Sequence, residues 1–126
     1  MLKVESMVVV ADNTGAKKAK VIRILKGSSA KTARVGDSVV VAVKEAAPTG
    51  SAKKGLVTQA VVVRVRKEIP RKDGTYLRFG DNAVVLMTKN DKGEMSPIGK
   101  RVFGPVAREL RALGYRNITN MAEEVL

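Results

Sequence analysis

Leu56-Val57-Thr58-Gln59-Ala60-Val61-Val62-Val63-Arg64-Val65-Arg66-Lys67 decides the fold class. It is the longest strand-like segment of the chain, and side chains branched at Cβ favour extended backbone over helix. Val61, Val63 and Val65 take one parity and Arg64 and Arg66 the other, the period of two expected of a half-buried strand. Toward the C-terminus, Asp73-Gly74 is the strongest hairpin signal and joins residues 69–72 to 75–79 as a basic two-stranded ribbon. Residues 82–88 read as another strand and 89–93 as a polar loop. Toward the N-terminus, residues 7–11, 19–25 and 38–43 read as strands. Asp12-Asn13-Thr14-Gly15, Gly27-Ser28-Ser29 and Val35-Gly36-Asp37 supply the turns, and Pro48-Thr49-Gly50 and Lys53-Lys54-Gly55 bracket a loop. The last quarter changes character. Gly104-Pro105 reads as a helix start, Val106, Leu110 and Leu113 follow on one face, and Gly114 suits the C-cap. Asn120-Met121-Ala122-Glu123 has the shape of a capping box opening a short final helix. The sum is a mainly β chain: one barrel domain over residues 1–126, with a helical appendage at about 104–126.

Composition narrows the chemistry. Among 126 residues there is no Cys and no His. Thiol nucleophiles, disulfides and thiolate metal sites are excluded, together with Ser-His-Asp and zinc-hydrolase arrangements. Gly93-Glu94-Met95-Ser96-Pro97-Ile98-Gly99-Lys100 resembles a phosphate-binding loop only superficially. It has five residues between its glycines rather than four, and Arg101 stands where Ser or Thr should hold magnesium. Asp12, Asp37, Asp73 and Asp81 all lie in turn-forming sequence, where Asp binds backbone donors rather than working as a catalytic pair. No catalytic residue, metal site or cofactor is expected.

Charge points to the partner. The formal net charge is +12 while 44% of residues are hydrophobic, which describes a folded basic domain rather than a basic tail. Such a surface attracts polyanions, nucleic acid first. No apolar run approaches ~18 residues, so no membrane span is expected, and the first residues lack the pattern of a secretory leader. Residues 17–34 hold seven basic residues and no acid, and residues 53–72 hold seven more against Glu68 alone. Lys53, Lys54, Arg64, Arg66, Lys67, Arg71, Lys72 and Arg78 cluster around one strand and its hairpin, and as a set they favour phosphate contact. Tyr76, Phe79, Phe103 and Tyr115 are the only aromatics, too few for a base-stacking platform, so folded RNA or duplex backbone is the expected ligand. The alternative from a different class is a free-standing basic barrel regulating RNA or single-stranded DNA.

Several spaced blocks carry a resemblance. They are Ala60-Val61-Val62-Val63, Asp73-Gly74, Phe79, Asn82 and Val85-Leu86, supported by Ala11-Asp12-Asn13-Thr14-Gly15-Ala16, Val35-Gly36-Asp37 and Val43-Lys44-Glu45-Ala46. Arg101-Val102-Phe103-Gly104-Pro105-Val106-Ala107-Arg108-Glu109-Leu110-Arg111 completes the set. Together they resemble the signature of the universal large-subunit ribosomal protein fourteen family, nearly end to end, in a bacterial or organellar form. The resemblance implies a five-stranded barrel with a protruding ribbon and short C-terminal helices, without enzymatic activity. It implies large-subunit rRNA as ligand, the third and nineteenth proteins of that subunit as neighbours, and intersubunit bridges to small-subunit rRNA. It also implies a surface for the ribosome-silencing factor, and the ribosome as location, in bacterial cytoplasm or an organelle matrix. Carried over by motif, the rRNA-facing residues are Lys17, Lys18, Lys44, Lys53, Lys54, Arg64, Arg66, Arg71 and Arg78. Bridge or silencing-factor residues are Lys100, Arg101, Arg108 and Arg111. The sequence departs from the usual bacterial pattern at Thr49, at Ser29-Ala30-Lys31-Thr32, at Lys100 and at Glu123, and its 89–96 loop looks longer than usual.

Overall fold

The computed structural model describes residues 2–25 and 31–126; the turn expected at Gly27-Ser28-Ser29 lies outside the described residues, as does Ala30 of the departing segment. The strands are β1 (Leu2–Lys3), β2 (Met7–Val10), β3 (Ala16–Ile24), β4 (Thr32–Ala33), β5 (Ser38–Ala46) and β6 (Val57–Arg64). They continue as β7 (Ile69–Pro70), β8 (Tyr76–Leu77), β9 (Ala83–Lys89), β10 (Met95–Pro97) and β11 (Val102–Val106). Helices α1 (Glu109–Ala112) and α2 (Arg116–Met121) precede β12 (Ala122–Val125).

Strands β2, β3, β5, β6 and β9 pair in that order, and β9 pairs with β6 as well as β2, closing a five-stranded barrel. All contacts in the ring are antiparallel except β2 with β9. A barrel this narrow admits only small and branched side chains. Its interior holds Val8, Ala19, Val21, Val39, Val41, Val43, Ala60, Val62, Val84 and Leu86, all buried. A second core lies outside the ring, where Val61, Val63, Val85 and Met87 pack against Val102, Val106, Leu110 and Ile118. Strand β6 is therefore buried on both faces, which explains its unbroken Ala60–Val63 run. The longest strands are β3 and β5, nine residues each, and β6 ends at Arg64 rather than running to residue 67.

The expected alternation beyond Val62 is corrected by a β-bulge. Val62 faces Val84 and Arg64 faces Ala83 across the β6–β9 pair, so Val63 is an extra residue. The bulge shifts the phase by one, sending Val65 to the interior core while Val63 stays in the outer one. The hairpin at Asp73-Gly74 forms as expected: β7 pairs with β8, Arg71 N–H donates to Thr75 O at 2.9 Å, and Gly74 takes φ +87°.

The C-terminal quarter differs from the helical expectation. Gly104 and Pro105 lie inside β11, which pairs in parallel with β12. Helix α1 begins only after Arg108, and residues 122–125 form a strand rather than a capped helix. Extended backbone wins because it is tethered from several sides. Phe103 N–H donates to Ala11 O at 2.7 Å, Leu126 N–H to Val106 O at 2.9 Å, and Gly104 N–H to the Glu123 carboxylate at 3.1 Å. Gly114 does take the left-handed conformation after α1, at φ +96°.

Candidate nucleic-acid interface

Three bulges build the basic face of the barrel. Along the β3–β5 pair, Lys18 faces Glu45 while Ala16 faces Ala46, so Lys17 is an extra residue. By the same count Ile22 is extra on β3 and Lys44 is extra on β5. Each bulge turns two successive side chains outward. The interior keeps Ala16, Ala19, Val21 and Ile24, and the outside receives Lys17, Lys18, Lys20, Ile22 and Arg23. Strand pairing places Met7 beside Lys20 and Val9 beside Lys18 on this same side. Lys18 and Glu45 approach to 3.9 Å, but both are more than half exposed, so the pair is a weak constraint. Lys20 and Arg23 belong here although sequence reasoning did not single them out. Their membership in the basic run was the available signal; the bulges that align them were not.

Arg66 extends the tract. It lines one shallow groove with Met7, Val9 and Lys18, and a second with Lys3, Thr32 and Lys67. Its Nε donates to Gly80 O at 3.1 Å, yet the side chain stays exposed. Lys53 and Lys54 are exposed in the loop after β5, and Arg78 is exposed beside β8, 3.9 Å from Glu68.

Two residues expected to face rRNA are engaged inside the protein. Arg64 is only 7% exposed. Its Nε donates to Asp81 at 2.8 Å, and Nη1 donates to Phe103 O at 2.8 Å and Pro105 O at 3.0 Å. The β6 bulge turns it under the C-terminal segment, away from solvent. Asp81 accordingly holds an arginine rather than turn backbone. Arg71 reaches Glu109 on α1 at 2.8 Å with its side chain 13% exposed, so the ribbon is tied to the C-terminal helices. The remaining turn aspartates behave as expected. Asp37 accepts Arg34 N–H at 2.8 Å and Asp73 accepts Thr75 N–H at 3.0 Å. The Thr75 hydroxyl and N–H hold the Asp73 carboxyl below its ordinary value, and the charges of Arg108 and Arg71 lower it further. Asp12 is buried and accepts the Thr14 hydroxyl at 2.6 Å and Leu86 N–H at 2.9 Å; burial nevertheless pushes its carboxyl up.

Lys100, Arg101, Arg108 and Arg111 are all exposed, in two places. Lys100 and Arg101 lie just before β11, with the Arg101 guanidinium 5.9 Å from the centre of the exposed Phe103 ring. Arg108 and Arg111 share a shallow groove with Arg116 between the two helices.

The fold and surface together are those of a small closed β-barrel with one outer face covered by its own C-terminal segment and another left open and cationic. The family model described as ribosomal protein L14p/L23e matches residues 1–126, and the chain belongs to that family. The large ribosomal subunit protein uL14 of Petrotoga mobilis (strain DSM 10674 / SJ95) is 54% identical over 125 residues, covering 99% of each chain. The chain is thus a structural constituent of the large ribosomal subunit and not an enzyme, located on the ribosome in the cytoplasm and associated with rRNA and other ribosomal proteins.

Proposed function

We propose that the bare face of the barrel binds large-subunit rRNA by neutralising phosphates and fitting their spacing. The observation that carries this reading is the bulged β3–β5 pair, which aims Lys17, Lys18, Lys20, Arg23 and Lys44 outward. Arg66, Lys53, Lys54 and Arg78 extend the contact set, whereas Arg64 and Arg71 act as internal clamps. Exposed Met7, Val9, Ile22 and Val57 lie among these cations. Aliphatic surface between phosphate-binding arms suits the ribose-lined, shallow groove of an RNA helix, which proteins recognise by shape. Neutralising about six phosphates gives a log–log salt slope of about −4 to −5.

Lys100, Arg101, Arg108 and Arg111 face other partners in this reading: small-subunit rRNA across the intersubunit bridge, or the ribosome-silencing factor. The third and nineteenth large-subunit proteins are neighbours. Sedimentation through moderate salt tests the assignment. Retention of the protein on large subunits supports it, loss of retention on charge reversal at Lys18 and Lys20 locates it, and an unchanged profile in that variant would overturn it.

A further inference from the structure

The turn Asp12-Asn13-Thr14-Gly15 holds three other parts of the chain: β9, the segment before β11, and the loop after β5. Asp12 accepts Leu86 N–H of β9 at 2.9 Å. The Asn13 Oδ1 accepts two backbone donors, Lys100 N–H at 2.9 Å and Arg101 N–H at 3.2 Å, while Asn13 N–H donates to Arg101 O at 3.2 Å. The Thr14 carbonyl accepts Ala52 N–H at 3.0 Å, and the Gly15 carbonyl accepts Ala47 N–H at 2.8 Å. Both attached loops also seat closely on the turn. A methyl added at Gly99 would lie 2.6 Å from Asn13 Oδ1, and one added at Gly15 would lie 2.6 Å from Gly50 Cα.

One loop carries Lys53 and Lys54, and the other carries Lys100 and Arg101. We infer that this turn is a positioning element that holds the two cationic surfaces in fixed register, with Asn13 as the positioning residue for Lys100 and Arg101. The geometry is specific to that role. Two successive N–H groups converging on one oxygen fix the backbone direction at residues 100–101, and so the aim of both side chains. The segment is pinned on either side, by Ile98 N–H to Leu86 O at 3.1 Å and Phe103 N–H to Ala11 O at 2.7 Å. Between these pins Asn13 removes the remaining freedom. A loop ordered before its partner arrives does not lose that freedom on binding, which raises affinity without adding a contact.

The functional half of this inference rests on the proposed intersubunit role of Lys100 and Arg101; the positioning does not. Amide hydrogen exchange on the free protein, combined with small-subunit association of large subunits carrying each variant, tests both halves. In Asn13→Ala the Lys100 and Arg101 amides should exchange at least tenfold faster while Ala47 and Ala52 stay protected. Incorporation into large subunits should persist and association should weaken several-fold. Asn13→Asp keeps the acceptor oxygen and should restore protection. Gly50→Ala should do the reverse, exposing Ala47 and Ala52 but not residues 100–101. Unchanged protection at 100–101 in Asn13→Ala, or equally faster exchange throughout the chain, would overturn the positioning. Arg101→Ala reports separately on the partner surface. If it weakens association and the loosened Asn13→Ala does not, the inferred register has no functional consequence and fails. If Arg101→Ala leaves association intact, the intersubunit reading fails while the positioning stands on the exchange data.

Discussion

The outside of this barrel meets its surroundings in two opposite ways. Over β6 and β9, outward Val61, Val63, Val85 and Met87 are covered by Val102, Val106, Leu110 and Ile118 of the returning chain. Over β2, β3 and β5, outward Met7, Val9, Lys18, Ile22 and Arg23 have no such cover, with Met7 as much as 51% exposed. The strands are alike in backbone and differ in what occupies the outward positions. Burying a Val or Leu side chain is worth about 1.5–3 kcal/mol, so an apolar outer face draws its own chain down. A lysine-bearing face cannot be covered by apolar chain without stranding its charges, so it stays open to polyanions. Arginine serves both sides. Arg64, placed under the C-terminal segment by a bulge, clamps that segment; Arg23, turned outward beside another bulge, adds charge to the open face.

The comparison breaks first at the covered face. Ile118→Ala removes a fully buried side chain from the outer core and should cost about 2–5 kcal/mol in chemical denaturation, with the C-terminal segment losing exchange protection. A cost under about 0.5 kcal/mol would mean that the segment is not held by burial. Arg64→Met comes next, at about 2–3 kcal/mol, because two carbonyls lose a charged donor. That value falls below the range for a fully buried pair because Asp81 is 41% exposed and regains water. Asp12→Asn should cost about 1–3 kcal/mol, since an amide nitrogen must face a backbone donor. It should also change the pH dependence of stability. The folded Asp12 carboxyl titrates above its ordinary 3.8. Its contribution to stability is therefore full below that value and is lost as pH rises through the folded value. The stability of the natural chain relative to Asp12→Asn should accordingly fall as pH rises across that window, and a flat difference would contradict the burial assigned to Asp12.

Much of this was legible in the residues, in proportion to how local the cause was. The Asp73-Gly74 hairpin is set by neighbours in sequence and forms where the sequence places it, while β3 and β5 run longer and β6 shorter than their local patterns suggest. Arg64 was misread because strict alternation assumes an unbroken ladder, and the bulge at Val63 depends on how β6 meets β9, about twenty residues away. Lys20 and Arg23 were underweighted for the same reason. Gly104-Pro105 carries a sound helix-start pattern, yet parallel pairing with residues 122–125 and the Arg64 bonds to Phe103 O and Pro105 O hold the chain extended. Glu123 looks like a capping residue and serves as an acceptor across to Gly104. Basic residues were legible as a set and not one by one, because charge alone does not say whether an arginine faces phosphate or a carbonyl.

The smallest effect on folding is expected at the open face, and it separates the two faces most directly. The salt dependence of binding to large-subunit rRNA should be measured for the natural chain, for Lys18→Ala/Lys20→Ala/Arg23→Ala, and for Arg64→Met. The triple variant should keep its stability to within about 0.5 kcal/mol, bind more weakly, and have a log–log slope shallower by about 2–3, from three lost phosphate contacts. Arg64→Met should lose stability and keep the natural slope at temperatures where it is folded. An unaltered slope in the triple variant, or a flattened one in Arg64→Met, would contradict the division into a covered structural face and an open rRNA-binding face.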